Sequence, residues 1–437
     1  MNTKDDIPLA RNVTRIAHLD LQGGGQVCVA GNHAYVGHVG GRSGPNTSIL
    51  DIADPRHPKV IGSVKQDHPD SHSHKVRVVG DIMIVNVEKN STGMGRRAED
   101  LHPVRARLRR KLEREPTDGE LEQALKLKPG ELPQLLNTHK SGFTDGGFKI
   151  YDISDRTAPR LLAHQKTGGV GVHRFDMDEH HAYISTEMDG YLGNILVTYD
   201  IRDPRHPAEV SRWWLPGQHV AGGEKPTWHE RSHRLHHALR RGNRMWAGVW
   251  QAGMRVVDVS DITRPRTIGA YNYHPPFKDP THTFMPLNAP IGGRDIALTI
   301  DEEERYYNPE VSEQRRGRAH ACISVFDVTD VGNIQPLSLF QVSELDSPWS
   351  RTARSRFGAH QFHEHAVGTL IFATWFSGGL RIIDVDDPTA PQEVGYFLPE
   401  PVGGNPAPQS NDVFVDPRGL IYLTDRNLGF DILEFRG

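Results

Sequence analysis

Through most of the chain hydrophobic and polar positions alternate in short runs broken by Gly, Pro, Asn and Asp, a pattern that predicts β-strands joined by tight turns. One phrase recurs: a hydrophobic run, an Asp, a further hydrophobic residue, then a turn that usually holds a second Asp and often Pro. It stands at Ser48 to Pro55, Lys149 to Asp155, Val197 to Pro204, Arg255 to Asp261, Ser324 to Asp330 and Arg381 to Pro388, with a degraded seventh copy at Asp431 to Phe435. Two strand-like runs joined by a tight turn precede each copy, as in Gln26 to Val36 and Val76 to Val85. A fourth run follows the Asp-Pro turn, as in Lys59 to Val64 or Glu393 to Phe397. Four strands per unit and seven units predict an all-β, seven-bladed β-propeller, a single domain over residues 1–437. The last copy has no fourth strand of its own, whereas Asn12 to Leu19 reads as an orphan strand. This N-terminal strand is expected to close the last blade and cover its edge.

The repeated phrase, seen clearly at Arg255 to Val259 and Arg381 to Val385, resembles the LVIVD repeat of bacterial seven-bladed propellers, and the likeness runs along nearly the whole chain. It implies the fold. It implies no single chemistry, because one fold hosts many functions.

One segment breaks the repeat. Residues 90–142 are rich in Arg, Lys, Glu and Leu, and Thr117 with Glu120 ahead of Leu121 to Leu127 reads as a capping box opening a helix. Arg105 to Glu115 reads as a second helix. This helical insertion in blade two is either a solvated excursion or a lid over the channel mouth. The long connections gathered on the same face, Gly217 to Arg234, Asp301 to His320 and Ser343 to Gly358, favour the lid.

The histidines, 25 in all, gain meaning from their register. His74, His173 and His236 open the first strands of blades two, three and four at one common spacing ahead of Met83, Ala182 and Met245. His282 and His360 open the first strands of blades five and six, blade seven is expected to place Asp412 there, and blade one has Gly25. First strands line the channel of a propeller, so these residues should ring one mouth. One such histidine could simply bond a neighbouring loop. Imidazoles converging from separate strands are a transition-metal site of the Fe, Cu, Mn, Ni or Zn kind, with Fe(II) expected first and Cu or Mn next.

Glu88 and Glu187 hold matching places at the ends of the second strands of blades two and three. They could orient the imidazoles or act as a general base, or could pair with basic loop residues. Trp250, Trp375 and Phe376 end the corresponding strands of blades four and six and should wall a pocket suited to an aromatic or unsaturated substrate. His57 and His206 repeat in Asp-Pro-Arg-His-Pro turns on the opposite face and read as turn residues. His33, His38, His180 and His181 show no convergence, and His229, His233 and His237 stay open.

The ring of imidazoles resembles that of the carotenoid and stilbene cleavage oxygenases, which implies non-haem Fe(II) held by four histidines and oriented by glutamates. It is also similar to the selenium-binding protein and methanethiol oxidase family, which implies copper. The expected function is a metal-dependent oxidoreductase, an oxygenase, acting on a small organic substrate with O2. One alternative keeps the site as a Mn- or Zn-dependent lyase or hydrolase. Another makes the propeller a non-enzymatic interaction scaffold.

Charge and cysteine content narrow the setting. Lys and Arg total 51 against 55 Asp and Glu, a net charge of -4 with no basic stripe, which argues against a nucleic-acid or anionic-membrane partner. Cys28 and Cys322 cannot build a disulfide framework. With no apolar leader and no membrane-length apolar run, they lead to an expected cytoplasmic location. No glycine motif for a dinucleotide follows a strand that enters a helix.

Overall fold

The repeated Asp proves to be the pin of each blade. In six blades the carboxylate that ends the third strand turns back on its own backbone. Asp51 accepts from Ala53 N at 2.9 Å, Asp152 from Ser154 N at 2.9 Å and Asp200 from Arg202 N at 3.0 Å. Asp258, Asp327 and Asp384 do the same with Ser260, Thr329 and Asp386. The second Asp of the phrase repeats the device one turn later, as Asp54 does with Arg56 N at 3.0 Å and Asp387 with Thr389 N at 2.9 Å. These Asx turns fix where the third strand stops and the fourth starts. The signature is therefore structural.

The computed structural model describes residues 7–39, 44–68, 70–90, 101–125, 127–141, 143–228, 233–274, 276–307 and 319–437. The chain is nearly all β and folds as a β-propeller. Its antiparallel pairings run in sequence order within successive four-strand sets. Gly24–Ala30, His33–His38, Thr47–Asp51 and Lys59–Val64 make the first, and Gly168–Met177, His181–Glu187, Ile195–Asp200 and Ala208–Trp213 the third. Tight hairpins join the first two strands. Gly31, Gly80 and Gly242 open these turns at φ of 58°, 58° and 55° with open space around them, so backbone conformation alone calls for glycine.

The last set is closed as expected. Val13–Gln22 pairs antiparallel with Leu428–Phe435, joining the start of the chain to its end. Just before it, Ala10–Arg11 pairs with Tyr396 and Phe397 at the edge of the neighbouring blade, so the segment ties two blades together. The core lies between blades rather than at the axis. Leu298, Ile323, Phe357, Ile371 and Trp375 pack in one such layer, and Val36, Leu50, Tyr422 and Ile432 in another.

First strands of adjacent blades pack side by side around the axis: Gly24–Ala30 against Val76–Val79 and Ser410–Val415, and Gly168–Met177 against His233–Arg241, which in turn meets Thr281–Pro286. Between Ile82–Lys89 and Gly147–Asp152 the chain forms helices at Leu101–Leu112, Asp118–Ala124 and Leu132–Ser141. Thr117 and Glu120 make the reciprocal capping box. The helices bury Leu121, Leu125, Leu132 and Leu135 among themselves, a small core of their own. Among the described residues no helix is long and apolar enough to cross a membrane.

Candidate functional site at the propeller axis

A β-bulge recurs in the first strand at the place where the chain reaches the axis. In blade three Val172 faces Thr186 and Arg174 faces Ser185, so His173 is the extra residue. In blade five Thr281 faces Asp301 and Thr283 faces Ile300, leaving His282 extra. In blade six His360 N donates to Thr374 O while Thr374 N donates to Gln361 O, so two residues again oppose one. A bulge re-aims the side chain it carries. Here it turns imidazoles inward from blade after blade.

The rings form a continuous arc. Centroids lie 4.7 Å apart for His72 and His74, 5.5 Å for His74 and His173, and 4.8 Å for His173 and His236. The arc continues at 3.8 Å from His236 to His282 and 4.7 Å from His282 to His360. All five histidines expected from the repeat register meet here.

The hydrogen bonds say which nitrogen carries the proton. His236 Nδ1 faces the backbone carbonyl of His282 at 2.7 Å, and His360 Nδ1 faces that of Asn411. A carbonyl can only accept, so each Nδ1 is the donor. His282 Nδ1 faces Gln361 Oε1 at 3.0 Å, and the amide orientation is set because Gln361 Nε2 donates to Glu364 at 2.7 Å. His173 Nδ1 donates to the Glu88 carboxylate at 2.8 Å. With Nδ1 as donor in each, the four rings leave Nε2 as the nitrogen available at the axis. The Nε2 atoms of His173 and His236 stand 2.9 Å apart, a separation bridged by a proton on one of them or by a cation between them.

Burial is the first cause holding His236, His282 and His360 well below the usual imidazole pKa, so they are neutral and free to coordinate. His74 differs. Its Nδ1 accepts from Asn86 Nδ2 at 3.3 Å and lies 3.7 Å from Glu88 Oε2, whereas ligand atoms of His236, His282 and Glu302 lie within 4.8 Å of one another.

The rings border a cavity of about 280 Å³, walled also by Lys75, Glu88, Trp250, Glu302 and Arg426. A second cavity of about 390 Å³ shares Val39 and Arg426 with the first and leads toward Tyr306 and Arg354. Burial pushes Glu302 upward, but His360, Arg356 and Arg426 outweigh it and bring its pKa down to about 2. Burial also acts to raise Glu88, and His173 beside it wins, leaving the carboxyl below its ordinary value.

Several expected residues are placed otherwise. Asp412 lies one position past the bulge of blade seven, where Ser410 faces Asp425 and Asp412 faces Thr424, so Asn411 takes the axial place and borders the cavity. Trp375 is fully buried among Ile323, Phe357 and Phe340 between blades and does not wall the cavity. Phe376 does reach the site, stacked 4.7 Å from His360, because its φ of 42° turns it out of strand alternation. Trp250 has the matching φ of 49° and borders the cavity. Glu187 borders it too but accepts from Val170 N at 3.0 Å rather than from an imidazole.

His57 and His206 bond Asp54 and Asp203 in exposed turns, at 2.7 and 2.9 Å, as expected. His229 lies outside the described residues, His233 stacks on Trp228, and His237 is buried behind the arc. No described residue of 101–141 walls either of the two cavities.

Sequence reasoning missed His72, Glu302 and Lys75. His72 lies two residues before His74, and its register partner Glu88 was the available signal. Glu302 directly follows the strand Ile296–Asp301, near the position that Glu88 holds toward the end of Ile82–Lys89. The long hairpin from Pro286 to Ile296 displaces the count.

Residues 24–66, 241–273 and 372–398 match the LVIVD repeat. No curated protein matches the sequence. Among solved structures, a periplasmic gluconolactonase of Pseudomonas aeruginosa is similar at TM-score 0.52 and 13% identity over 93% of this chain and 89% of its own. A putative 6-phosphogluconolactonase of Bacteroides uniformis reaches 0.54 at 10% identity, over 90% and 88%. The Cps50 (Swd1) β-propeller domain of Myceliophteria thermophila reaches 0.50 at 12%, over 97% and 99%. Such likenesses concern the fold alone.

Proposed function

We propose that this β-propeller, which carries LVIVD repeats, is a metal-dependent oxidoreductase whose transition ion is held by His173, His236, His282 and His360. The carrying observation is that all four rings spend Nδ1–H on a fixed acceptor, which leaves Nε2 as the nitrogen free to take an ion. Pinning the outer nitrogen in this way is how proteins set the tautomer and angle of a metal-bound imidazole. A set of four imidazole nitrogens with no thiolate suits Fe(II), Cu or Mn, and the bound ion would supply a redox centre with positions left open to the cavity. Cys28 and Cys322 are both buried and are not among the residues walling the site.

The chain's own groups suit a small anionic organic molecule. Arg426 offers a cation at the wall of the cavity, Lys75 is brought by burial to a pKa of about 7, and Trp250 offers an aromatic face. Glu302, held ionised, lies 3.8 Å from His360 Nε2 and groups with His236 and His282 as a further, anionic ligand for the ion. That carboxylate also favours a second reading, a hydrolase in which Glu302 is the general base, and two of the structural neighbours are named as lactonases.

Elemental analysis of protein purified with and without air separates the readings. Iron or copper at one or more ions per chain, with oxygen consumption on a carboxylate-bearing substrate, supports the first. Redox-inert zinc with lactone hydrolysis supports the second. Absence of any tightly held ion overturns both and leaves a scaffold.

A further inference from the structure

The molecule offers, beside the four convergent rings, a second group of ligand atoms that the proposed centre does not use. We propose that His72, His74 and Glu88 form a second metal site in the same cavity, taking a first-row divalent ion such as Zn2+. The inference goes beyond the four-imidazole reading and does not depend on it.

The geometry is that of ligands around a missing centre rather than of hydrogen-bonded partners. One nitrogen from each ring and one carboxylate oxygen lie within 4.8 Å of one another. His72 Nε2 stands 3.6 Å from Glu88 Oε2, and His74 Nδ1 stands 3.7 Å from the same oxygen. Both are too long for a hydrogen bond. Two ligand atoms each about 2.1 Å from a tetrahedral ion are about 3.4 Å apart, which these distances approach.

His72 gives the second observation. It is 8% exposed, borders the cavity, and its Nδ1 is buried with no hydrogen-bond partner. With its other nitrogen 3.6 Å from the carboxylate, the ring has no hydrogen bond to hold it where it is. Among the described residues neither nitrogen fixes the ring, and an ion on Nε2 would supply the tie that the protein does not. Of the bonds the cluster does make, that from Asn86 to His74 at 3.3 Å is the long one that coordination would displace, and Asn86 would keep its bond to Val172 O at 2.9 Å.

The protonation states are those of ligands. Burial lowers the pKa of His72 to about 4 and that of His74 well below its ordinary value, while Glu88 is held below its own. Two neutral imidazoles and one carboxylate make a net charge of -1, and a dication there leaves room for water or a substrate oxygen as further ligands.

Glu88 links the two sites. Its Oε2 faces His72 and His74, and its Oε1 accepts from His173 in the first centre at 2.8 Å. An ion on Oε2 draws charge from Oε1 and so weakens His173 as a donor. Filling one site is therefore expected to lower the affinity of the other, by the same factor in either direction.

Equilibrium dialysis of the full chain against Zn2+, with ions counted by elemental analysis, tests the proposal. Expected are two ions per chain in the wild type, one in His72→Ala and one in His282→Ala. Circular dichroism reports folding, and His72→Gln replaces the alanine variant should that one fail to fold. A single ion in the wild type, unaffected by either His72 substitution and lost in His282→Ala, overturns the second site and leaves the first standing. A single ion lost with His72 and kept in His282→Ala upholds the second site and removes the four-imidazole reading. No ion in any variant overturns both.

Discussion

The axis of this propeller holds two polar layers built by neighbouring residues of the same strands, and they treat charge in opposite ways. In the upper layer burial keeps His236, His282 and His360 neutral, and the rings of these and of His173 follow one another along the arc. In the lower layer, often only one residue further along, ionised groups compensate each other. Glu364 takes both Arg77 and Arg174 and also the Gln361 amide, Arg174 Nε reaches His237 at 3.1 Å, and Asp176 lies 3.8 Å from Arg77 and 4.0 Å from Arg241. Arg174 is fully buried.

The lower layer pairs most of its charges internally, although Arg77 Nε, Arg174 Nη1 and His237 Nε2 stay buried without a partner among the described residues. The upper one leaves imidazole nitrogens on the cavity, where the proposed ion would sit. Buried groups that satisfy one another argue for architecture, and buried acceptors aimed at a common point argue for a ligand. The difference is what separates structure from function along this axis.

Removing both His236 and His282 as alanines is the strongest way to break the comparison. The double variant should lose tight binding of Fe(II) or Cu(II), read by dialysis and elemental analysis, while remaining folded by circular dichroism. Retained stoichiometry would place the ion elsewhere.

Next in size is Glu364→Gln, which leaves two buried guanidiniums facing a neutral amide. Breaking a buried pair from one side costs about 3–5 kcal/mol, to be read by denaturant unfolding. Metal stoichiometry of the folded fraction should not change. A variant that kept its stability and lost its metal would reverse the roles assigned to the layers.

Glu88→Gln should weaken the first centre about 10- to 100-fold without abolishing it, since the amide oxygen still accepts from His173 but carries no charge. Competition with a chelator of known affinity measures this. Wild-type affinity would show that Glu88 does not tune the imidazole.

The smallest effect concerns pH and the lower layer. His363 is 5% exposed, and burial brings its pKa to about 3 from an ordinary 6.5. The unfolded chain therefore binds a proton below about 6.5 that the folded chain refuses. The stability tied to this ring is full above that pH and is lost as pH falls toward 3. At pH 5 the loss is about 2 kcal/mol. Unfolding at pH 7.5 and 5.0 should show His363→Gln less pH-sensitive than wild type by that amount. Equal slopes would mean that the ring titrates normally.

Much of the upper layer was legible in the sequence because the repeat supplies a ruler. Once the Asp phrases are aligned, histidines at the starts of first strands fall into register, and their meeting follows from the closure of the propeller. What the ruler could not show is the bulge. An extra residue in a strand exchanges inward and outward positions, so blade seven offers Asn411 where counting gave Asp412. The same limit explains Phe376 and Trp375: a φ of 42° at Phe376 breaks alternation, sending it to the site and Trp375 into the core.

The lower layer was not legible at all. Glu364 is 287 positions from Arg77 and 190 from Arg174, and no local pattern marks them as partners. His72 escaped because one histidine was sought per blade and blade two supplies a pair.

X-ray absorption on the protein loaded with one equivalent of Fe(II) or Cu(II) tests the central claim most directly, because it reports the atoms around the ion itself. The account predicts a first shell dominated by nitrogen at about 2.0–2.1 Å with the outer-shell scattering of imidazole rings, and no sulfur. A shell of oxygen alone, without imidazole scattering, would contradict it.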